Sequence, residues 1–294
     1  MLNRILKTAV PAAALILTTA VQGDVVVLEA SKDNSMYQGF FSDTNASGAG
    51  PNLFVGNIAN GQGFSRRSLI EFDVSGIPAC STINSVTLSL VLDMSISNDQ
   101  DIATHRVLQE WGEGTSVPDG GGGGGGGAGG EPTEDSSTWE HTFFPDELWD
   151  NPGGDFDGTA SAVTSVGGAT TAYLWSSAGM VDDVQGWVGA SSSNHGWILI
   201  GNEIDIVTTK RFVSSEGDSA EDRPTLTIDF TPPTPCPSRG DFDGNGSIGF
   251  ADLSSLLNAW GPCPGCPEDL SGDGSVGFAD LSTLLNNWGC CPAK

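Results

Sequence analysis

The sequence has little positive charge. Its 294 residues include 11 Lys and Arg against 37 Asp and Glu, which gives a formal net charge of −26 at pH 7. A surface this acidic repels phosphate groups, which argues against nucleic acid and anionic membranes as partners. The composition is consistent with a secreted protein in a calcium-rich or saline environment.

Long apolar runs are also scarce, and the clearest one lies at the amino terminus. Arg4 and Lys7 precede an apolar run from Ala9 to Ala20, and the segment closes at Gly23. This arrangement predicts a cleaved secretory signal over residues 1–23 and an extracellular or cell-surface location. The run is too short for a membrane anchor, so no transmembrane segment is expected in the mature chain. Cleavage would leave nine basic and 37 acidic residues, a net charge of −28.

Residue patterns that serve catalysis are few. The two tyrosines, Tyr37 and Tyr173, offer little for lyase-type proton transfer, and Glu110 and Glu113 are the best candidates for the carboxyl pair of a glycosidase. No serine or cysteine nucleophile motif stands beside the three histidines, which lie in separate blocks: His105, His141 and His195. We therefore expect a non-catalytic binding or structural module. The alternatives are a polysaccharide-degrading lyase or glycosidase and a purely structural cell-surface protein.

Between residues 24 and 231 the chain is rich in short, alternating, β-branched segments. In Val86–Leu92 the apolar side chains recur with period two, as in a half-buried strand. Turn residues separate the segments, and one stretch, Met180–Val188, has helical spacing. The fold class predicted is mainly β, an antiparallel β-sandwich of jelly-roll type. Its clearest strands are Asp24–Ala30, Asn52–Val55, Ser68–Val74, Val86–Asp93, Ile102–Gln109, Gly196–Gly201 and Thr225–Phe230.

Two low-complexity segments divide the chain. Residues 120–130 are almost all glycine, which predicts a mobile loop because there are no side chains to bury. Residues 232–239 are rich in proline, and we expect them to form a stiff linker at a domain boundary.

Residues 240–294 contain one motif twice, with the copies Asp241–Asp252 and Asp269–Asp280 starting 28 residues apart. Each copy has oxygen-bearing side chains at positions 1, 3, 5 and 12 and glycine at position 6, which is the pattern of a calcium loop. Since Ser271 replaces an acid at position 3, we expect the second of the two Ca²⁺ sites to be the weaker. The predicted ligands are Asp241, Asp243, Asn245, Ser247 and Asp252, then Asp269, Ser271, Asp273, Ser275 and Asp280.

Each loop is followed by a predicted helix with one apolar face. The faces are Leu253, Leu256, Leu257 and Trp260, then Leu281, Leu284, Leu285 and Trp288. The pair resembles a type I dockerin repeat, so the fold expected here is a small α-helical calcium-loop domain. Dockerins bind cohesin domains, and the resemblance implies a cohesin-like or cell-envelope partner. The alternative is that the ions only stabilise the fold.

Six cysteines fit an oxidising compartment. Cys236 and Cys263 flank the first repeat, while Cys266 and either Cys290 or Cys291 flank the second, so we predict one disulfide for each repeat. A redox or zinc role for the motif Cys263–Cys266 is the alternative, and the pairing of Cys80 stays open.

Several blocks of the β-rich part occur in an order that resembles the DNRLRE domain. They are Arg66–Val74, Trp111-x-Glu113-Gly114, Asn151–Phe156, Val184-Gln185-x-Trp187, Gly196–Leu199, Lys210–Glu216 and Arg223-Pro224-x-Leu226. The domain is similar to disaggregatase-related and alginate-binding carbohydrate-binding modules. The resemblance implies an antiparallel β-sandwich over residues 24–231, associated with polysaccharides.

Two kinds of side chain could contact a polysaccharide ligand. Aromatic rings stack on the apolar face of a sugar. The candidates are Trp111, Trp139, Trp149 and Trp175, although packing within the fold is the favoured role for each, and Trp187 and Trp197 are expected in the core. The cations of the family blocks either pair with acids such as Glu71, Asp73 or Glu216 or bind sugar. They are Arg66, Arg67, Arg106, Lys210, Arg211 and Arg223.

Overall fold

The computed structural model describes residues 23–39, 43–58, 64–118, 127–189, 191–233 and 240–290. The predicted secretory signal before Gly23, most of the glycine run and residues 234–239 of the predicted linker lie outside these ranges. So do Cys236, Cys291 and the side chain of Cys290.

Most of the chain before residue 232 forms one large antiparallel sheet. Its first six strands are β1 (Asp24–Glu29), β2 (Lys32–Tyr37), β3 (Asn52–Asn57), β4 (Ser65–Glu71), β5 (Thr82–Ser95) and β6 (Gln100–Arg106). A separate hairpin follows, formed by β7 (His141–Phe143) and β8 (Glu147–Leu148). The sheet continues with β9 (Ala162–Val166), β10 (Ala172–Trp175), β11 (Trp197–Ile200), β12 (Lys210–Val213) and β13 (Thr225–Thr231).

The sheet curls along one hydrogen-bonded path in the order β1-β13-β5-β12-β3-β4-β11-β6-β9, while β10 pairs with β5 and β2 pairs with β4. Strand β5 is 14 residues long and pairs with three strands, β10, β12 and β13. Its pairings with β12 and β13 each contain a register shift, and such bulges bend and twist a sheet. The prediction of a mainly β, antiparallel, sandwich-like chain is confirmed.

The main core lies within this curl. Alternate residues of β5 are buried, among them Leu88, Leu90 and Leu92, which confirms the period-two pattern. One helix, α1 (Ala178–Gly189), packs on the core through Met180, Val184 and Trp187 and confirms the helical spacing. The expected core residues Trp187 and Trp197 contact each other with ring centroids 4.5 Å apart.

Residues 240–290 form a second set of elements. They are β14 (Ser247–Ile248), α2 (Phe250–Asn258), β15 (Gly261–Pro262), β16 (Ser275–Val276), α3 (Phe278–Asn286) and β17 (Gly289–Cys290). Strand β14 of the first loop pairs with β17, which follows the second helix, and β16 of the second loop pairs with β15, which follows the first. The two repeats therefore interlock.

These repeats share a small apolar core. Leu256 and Leu284 are fully buried at equivalent positions, and they pack with Ile248, Leu270 and Val276. The predicted helical faces are only partly covered, because about half of the Leu257 and Leu285 side-chain surface is exposed. Across the described ranges no helix has the length and apolar character needed to cross a bilayer.

The end of the glycine run is anchored to the sheet. Gly127 accepts a hydrogen bond from the Arg66 side chain at 2.6 Å, and Gly130 forms a β-bridge with Ala46. Gly127 has a φ of +53° and lies against the Phe54 ring, where a Cβ would clash. Residues 127–130 thus lie close against their neighbours, because they have almost no side chains to keep the backbone away. The mobility of the loop stays a prediction.

Candidate metal centre

The first acidic loop curls around its own carboxylates. Asp241 accepts hydrogen bonds from the backbone N–H groups of Gly244 at 2.8 Å and Gly246 at 3.1 Å. Both glycines have positive φ, 76° and 82°, which favours residues without a Cβ. The tight curl of the loop thus places its acids on the inner side.

Position 12 closes this loop. One carboxylate oxygen of Asp252 accepts the N–H of Phe242 at 2.7 Å, and the other accepts the N–H of Gly249 at 2.8 Å. Asp252 is fully buried. Carboxylate oxygens of Asp241, Asp243 and Asp252 all lie within 4.8 Å of one another. That spacing suits ligands of a single hard cation, because Ca²⁺ holds its oxygens at about 2.3–2.6 Å.

The remaining predicted ligands of the first loop also bond within it. Asn245 donates to Asp243 at 2.9 Å, and its own side-chain oxygen accepts the N–H of Ser247 at 2.8 Å. The donor set is entirely oxygen, as calcium prefers. The residues present therefore fit the ion that the sequence predicts.

The second loop has three acids, as the first does, but carries its middle one at position 5 instead of position 3. Asp269 accepts the N–H groups of Gly272 and Gly274 at 2.7 and 2.8 Å, and Asp273 accepts the hydroxyl of Ser275 at 2.8 Å. Ser271 stands where the first loop has Asp243, and its hydroxyl donates a long 3.4 Å hydrogen bond to Asp269. Position 3 thus offers a hydroxyl in place of a carboxylate, while Asp273 at position 5 offers a carboxylate where the first loop has Asn245.

Asp280 closes the second loop as Asp252 closes the first. It is fully buried and accepts the N–H groups of Ser271 and Gly277, each at 2.7 Å. Burial raises the pKa of Asp280, but hydrogen bonds from these backbone groups lower it by more, so the pKa lies below its usual value. The carboxylate is thereby kept in the ionised form that a cation needs.

The disulfide predictions need correction. Cys263 and Cys266 bond to each other, with Cα atoms 5.6 Å apart, so neither is available to Cys236, Cys290 or Cys291. The flanking argument overlooked that two cysteines three residues apart can meet in a turn, and here the backbone N–H of Cys266 donates to the Cys263 carbonyl at 3.3 Å. Cys80 is also disulfide-bonded.

Four large aromatic side chains of this segment are exposed. Phe250 and Phe278, the first residues of their helices, are 78% and 81% exposed. Each stacks edge-on against a tryptophan of the other repeat: Phe250 on Trp288 at 5.1 Å and Phe278 on Trp260 at 5.2 Å. The helical spacing assigned both tryptophans to a packed face, yet both keep about two-fifths of their surface exposed. Sequence reasoning missed this paired surface, which the equivalent positions of phenylalanine in the two repeats could have indicated.

The structure does not place the candidate sugar platforms at the surface. Trp111, Trp139, Trp149 and Trp175 are all at most 6% exposed. Three of them donate a hydrogen bond from the indole N–H to a backbone carbonyl: Trp111 to His195, Trp149 to Thr138 and Trp175 to Ile102. The burial of these rings supports packing within the fold over sugar stacking, since long-range contacts bury segments that look like loops in the sequence.

The cations of the family blocks are engaged within the fold. Arg67 binds Glu203 through two hydrogen bonds of 2.7 and 2.8 Å, and Arg211 binds Asp93 in the same way at 2.8 and 2.9 Å. Arg106 forms ion pairs with Asp157 and Asp183. Arg66, Lys210 and Arg223 each donate hydrogen bonds to backbone carbonyls. Three of the six cations thus pair with acids, although with other acids than the three that we named, and the other three bind backbone carbonyls.

The two glutamates considered for catalysis have different surroundings. Glu110 is exposed, whereas Glu113 is half-buried and accepts the backbone N–H of Asp33 at 2.8 Å. Comparison of the chain with protein-family models and with curated proteins finds no match in either set.

Proposed function

We propose that this chain is a secreted, non-catalytic binding or structural module that is attached through a calcium-loaded, dockerin-like repeat pair at residues 240–294. The observation that carries the proposal is the duplicated loop in which a buried acid at position 12, Asp252 or Asp280, bonds back onto its own loop. Ca²⁺ would be held by the oxygen ligands predicted above, and its binding energy would add to the stability of the segment.

The exposed aromatic pairs support a protein partner over a purely stabilising role for the ions. A segment of this size has few apolar residues to spare, and exposed apolar patches commonly mark interaction sites. Phe250 and Trp288 contribute one such patch, and Phe278 and Trp260 the other. We infer a partner of cohesin type or in the cell envelope, which contacts one or both pairs.

The jelly-roll-like β domain, residues 24–231, would be the part that this attachment presents. Its resemblance to the DNRLRE domain supports association with a polysaccharide. The net charge of −26 favours a neutral glycan over an acidic one. Because the four candidate tryptophans are buried, such a ligand would meet polar side chains and backbone rather than aromatic platforms.

Capture of envelope proteins by the full-length chain tests the attachment. Wild-type protein with Ca²⁺ is compared with the same protein in chelator, with the double variant Phe250→Ser/Phe278→Ser, and with the control Val25→Ser/Val163→Ser. The control removes two apolar side chains of the β domain that are 62% and 57% exposed. We expect the same captured protein with wild type and control, and its loss with chelator or with the phenylalanine variant. Capture that ignores both treatments would contradict the proposal.

A further inference from the structure

Three carboxylates from distant parts of the chain meet in the β-rich part. Asp33 lies on β2, Glu113 follows β6, and Glu216 lies in the turn after β12. One carboxylate oxygen of each is within 4.8 Å of those of the other two. We refer to Asp33, Glu113 and Glu216 as the three-carboxylate cluster. It is distinct from the acidic loops of residues 240–290.

Asp33 is the buried member of the cluster, with no exposed surface. Its Oδ2 atom accepts the backbone N–H of Ser215 at 2.7 Å. Its Oδ1 atom is buried and has no hydrogen-bond partner among the residues that the structure describes. Leaving a carboxylate oxygen buried without a partner is costly, so this atom indicates a ligand that the protein chain does not itself supply.

Repulsion between the three carboxylates also favours a positively charged ligand. Burial, followed by the charge of Glu216, raises the pKa of Asp33 well above its usual value. Burial also raises the pKa of Glu113 to about 7, against the lowering effect of the Asp33 N–H. Lys32 is the basic residue that acts on Glu113, but its ammonium group is bound to the Trp111 carbonyl at 2.9 Å and to Glu71 at 3.1 Å. Positive charge placed among the three carboxylates would relieve their repulsion.

The backbone around Glu113 is held firmly in place. A Cβ at Gly48 would lie 2.0 Å from the Glu113 carbonyl oxygen, and one at Gly112 would lie 1.8 Å from the Asp135 carbonyl. Gly114 has a φ of +66°, a conformation that favours glycine. Close packing thus sets the course of the main chain at Glu113, and the carboxylate itself accepts the N–H of Asp33 at 2.8 Å.

We propose that the three-carboxylate cluster binds one hard divalent cation, Ca²⁺ before Mg²⁺. The donors are all oxygen and the set has no histidine or cysteine, which favours a hard ion over zinc or copper. Three carboxylates do not fill the six to eight positions of Ca²⁺, so water would complete the shell, and Glu216 is exposed to solvent on that side. The ion would fix the turn after β12 and the segment after β6 to strand β2.

Calcium binding by the full-length chain, measured by equilibrium dialysis, tests the site. The variants are Glu216→Gln, which changes an exposed side chain, and Glu113→Gln. Glu147→Gln is the control, since it removes the same charge from an exposed side chain elsewhere. We expect the first two variants to bind one ion fewer than wild type, or to bind it at least tenfold more weakly, and the control to match wild type. Equal binding by wild type and Glu216→Gln would overturn the proposal.

Hydrogen exchange gives a second test, which measures the protection of backbone amides around the site and not the number of bound ions. Ca²⁺ should slow exchange of the Ser215 and Asp33 amides by tenfold or more in wild type and in the control, but not in Glu216→Gln. The rival arrangement is a proton shared between Asp33 and Glu113. An infrared carbonyl band of a protonated carboxyl group at pH 7 that persists in excess Ca²⁺ would establish that arrangement and overturn the metal site.

The site does not depend on the function proposed above, and one variant separates the two. In Asp252→Asn/Asp280→Asn the acidic loops are impaired while the three-carboxylate cluster is intact. If this variant still binds one ion tightly, the result supports cation binding by the three-carboxylate cluster. Loss of all bound Ca²⁺ from this double variant would exclude cation binding by the cluster, while calcium binding by the acidic loops would remain supported.

Discussion

The carboxylate of Asp252 accepts the backbone N–H of Phe242 at 2.7 Å, so position 12 of the first acidic loop is bonded to position 2. The same carboxylate accepts the N–H of Gly249, which directly precedes helix α2. One buried side chain therefore closes the loop and supports the start of the helix. In the second repeat Asp280 does the same through Ser271 and Gly277.

Replacing either of these acids should weaken calcium binding at its own loop. Asp252→Asn keeps the size of the side chain but removes its charge, so we expect at least a tenfold loss of affinity, or about 1.4 kcal/mol, at the first site. Asp280→Asn should do the same at the second. Calcium titration followed by NMR of the glycine amides, Gly246 and Gly274, assigns each loss. Asp146→Asn, on an exposed loop, should change neither site.

Ser271→Asp should strengthen the second site. The variant restores an acid at position 3, where the first loop has Asp243. Ser271 is exposed, so the longer side chain fits without displacing core residues. Because the loop would then offer four carboxylates in place of three, we expect its calcium affinity to rise by about tenfold. Unchanged affinity in the same NMR titration would show that position 3 is not a ligand. The control is Ser254→Asp, on the exposed side of α2.

Removing a core leucine should unfold residues 240–290 without destabilising the large sheet. Leu256 and Leu284 are fully buried, so truncation of either to alanine is expected to cost about 2–5 kcal/mol. Leu257→Ala, at a position that is 50% exposed, should cost less than about 1 kcal/mol. Amide hydrogen exchange in α2 and α3, compared with exchange in β5, measures both effects in the same sample. Equal losses for Leu256→Ala and Leu257→Ala would contradict the observed packing.

Lys210 should be a structural residue of the β-rich part. It has no exposed surface, and its ammonium group lies within 2.8 Å of the hydroxyl of Ser95 and of the carbonyls of Asn98 and Gly167. Lys210→Met would leave these acceptors without a donor, and we expect a loss of about 3 kcal/mol in the free energy of unfolding. Arg106→Met, which breaks a partly exposed ion pair, should cost about 1 kcal/mol or less. Chemical denaturation measures both.

The sequence was a good guide where local pattern determines structure. All seven predicted strands overlap observed ones, and the predicted helix falls within Ala178–Gly189. The curl of the acidic loops and their positive-φ glycines also follow the sequence pattern, because each loop lies within twelve consecutive positions. The metal ligands themselves stay a prediction. In each case the information is contained in neighbouring residues.

Long-range contacts limited the rest. Strand β2 was missed because Asp33, Asn34 and Ser35 are polar yet buried. Asn34 and Ser35 are satisfied by Ser137 and Ser68, which lie far along the chain. Long-range contacts also bury Trp111, Trp139, Trp149 and Trp175, which the local sequence does not indicate. The three-carboxylate cluster likewise joins residues 33, 113 and 216, which no local pattern connects.

Isothermal titration calorimetry with Ca²⁺, carried out on wild type and on Asp252→Asn/Asp280→Asn, counts the ions that the acidic loops bind. We expect the double variant to bind two ions fewer per chain than wild type, and α2 and α3 of metal-free protein to melt before the large sheet. The same stoichiometry in both proteins, or melting that is indifferent to chelator, would contradict this expectation.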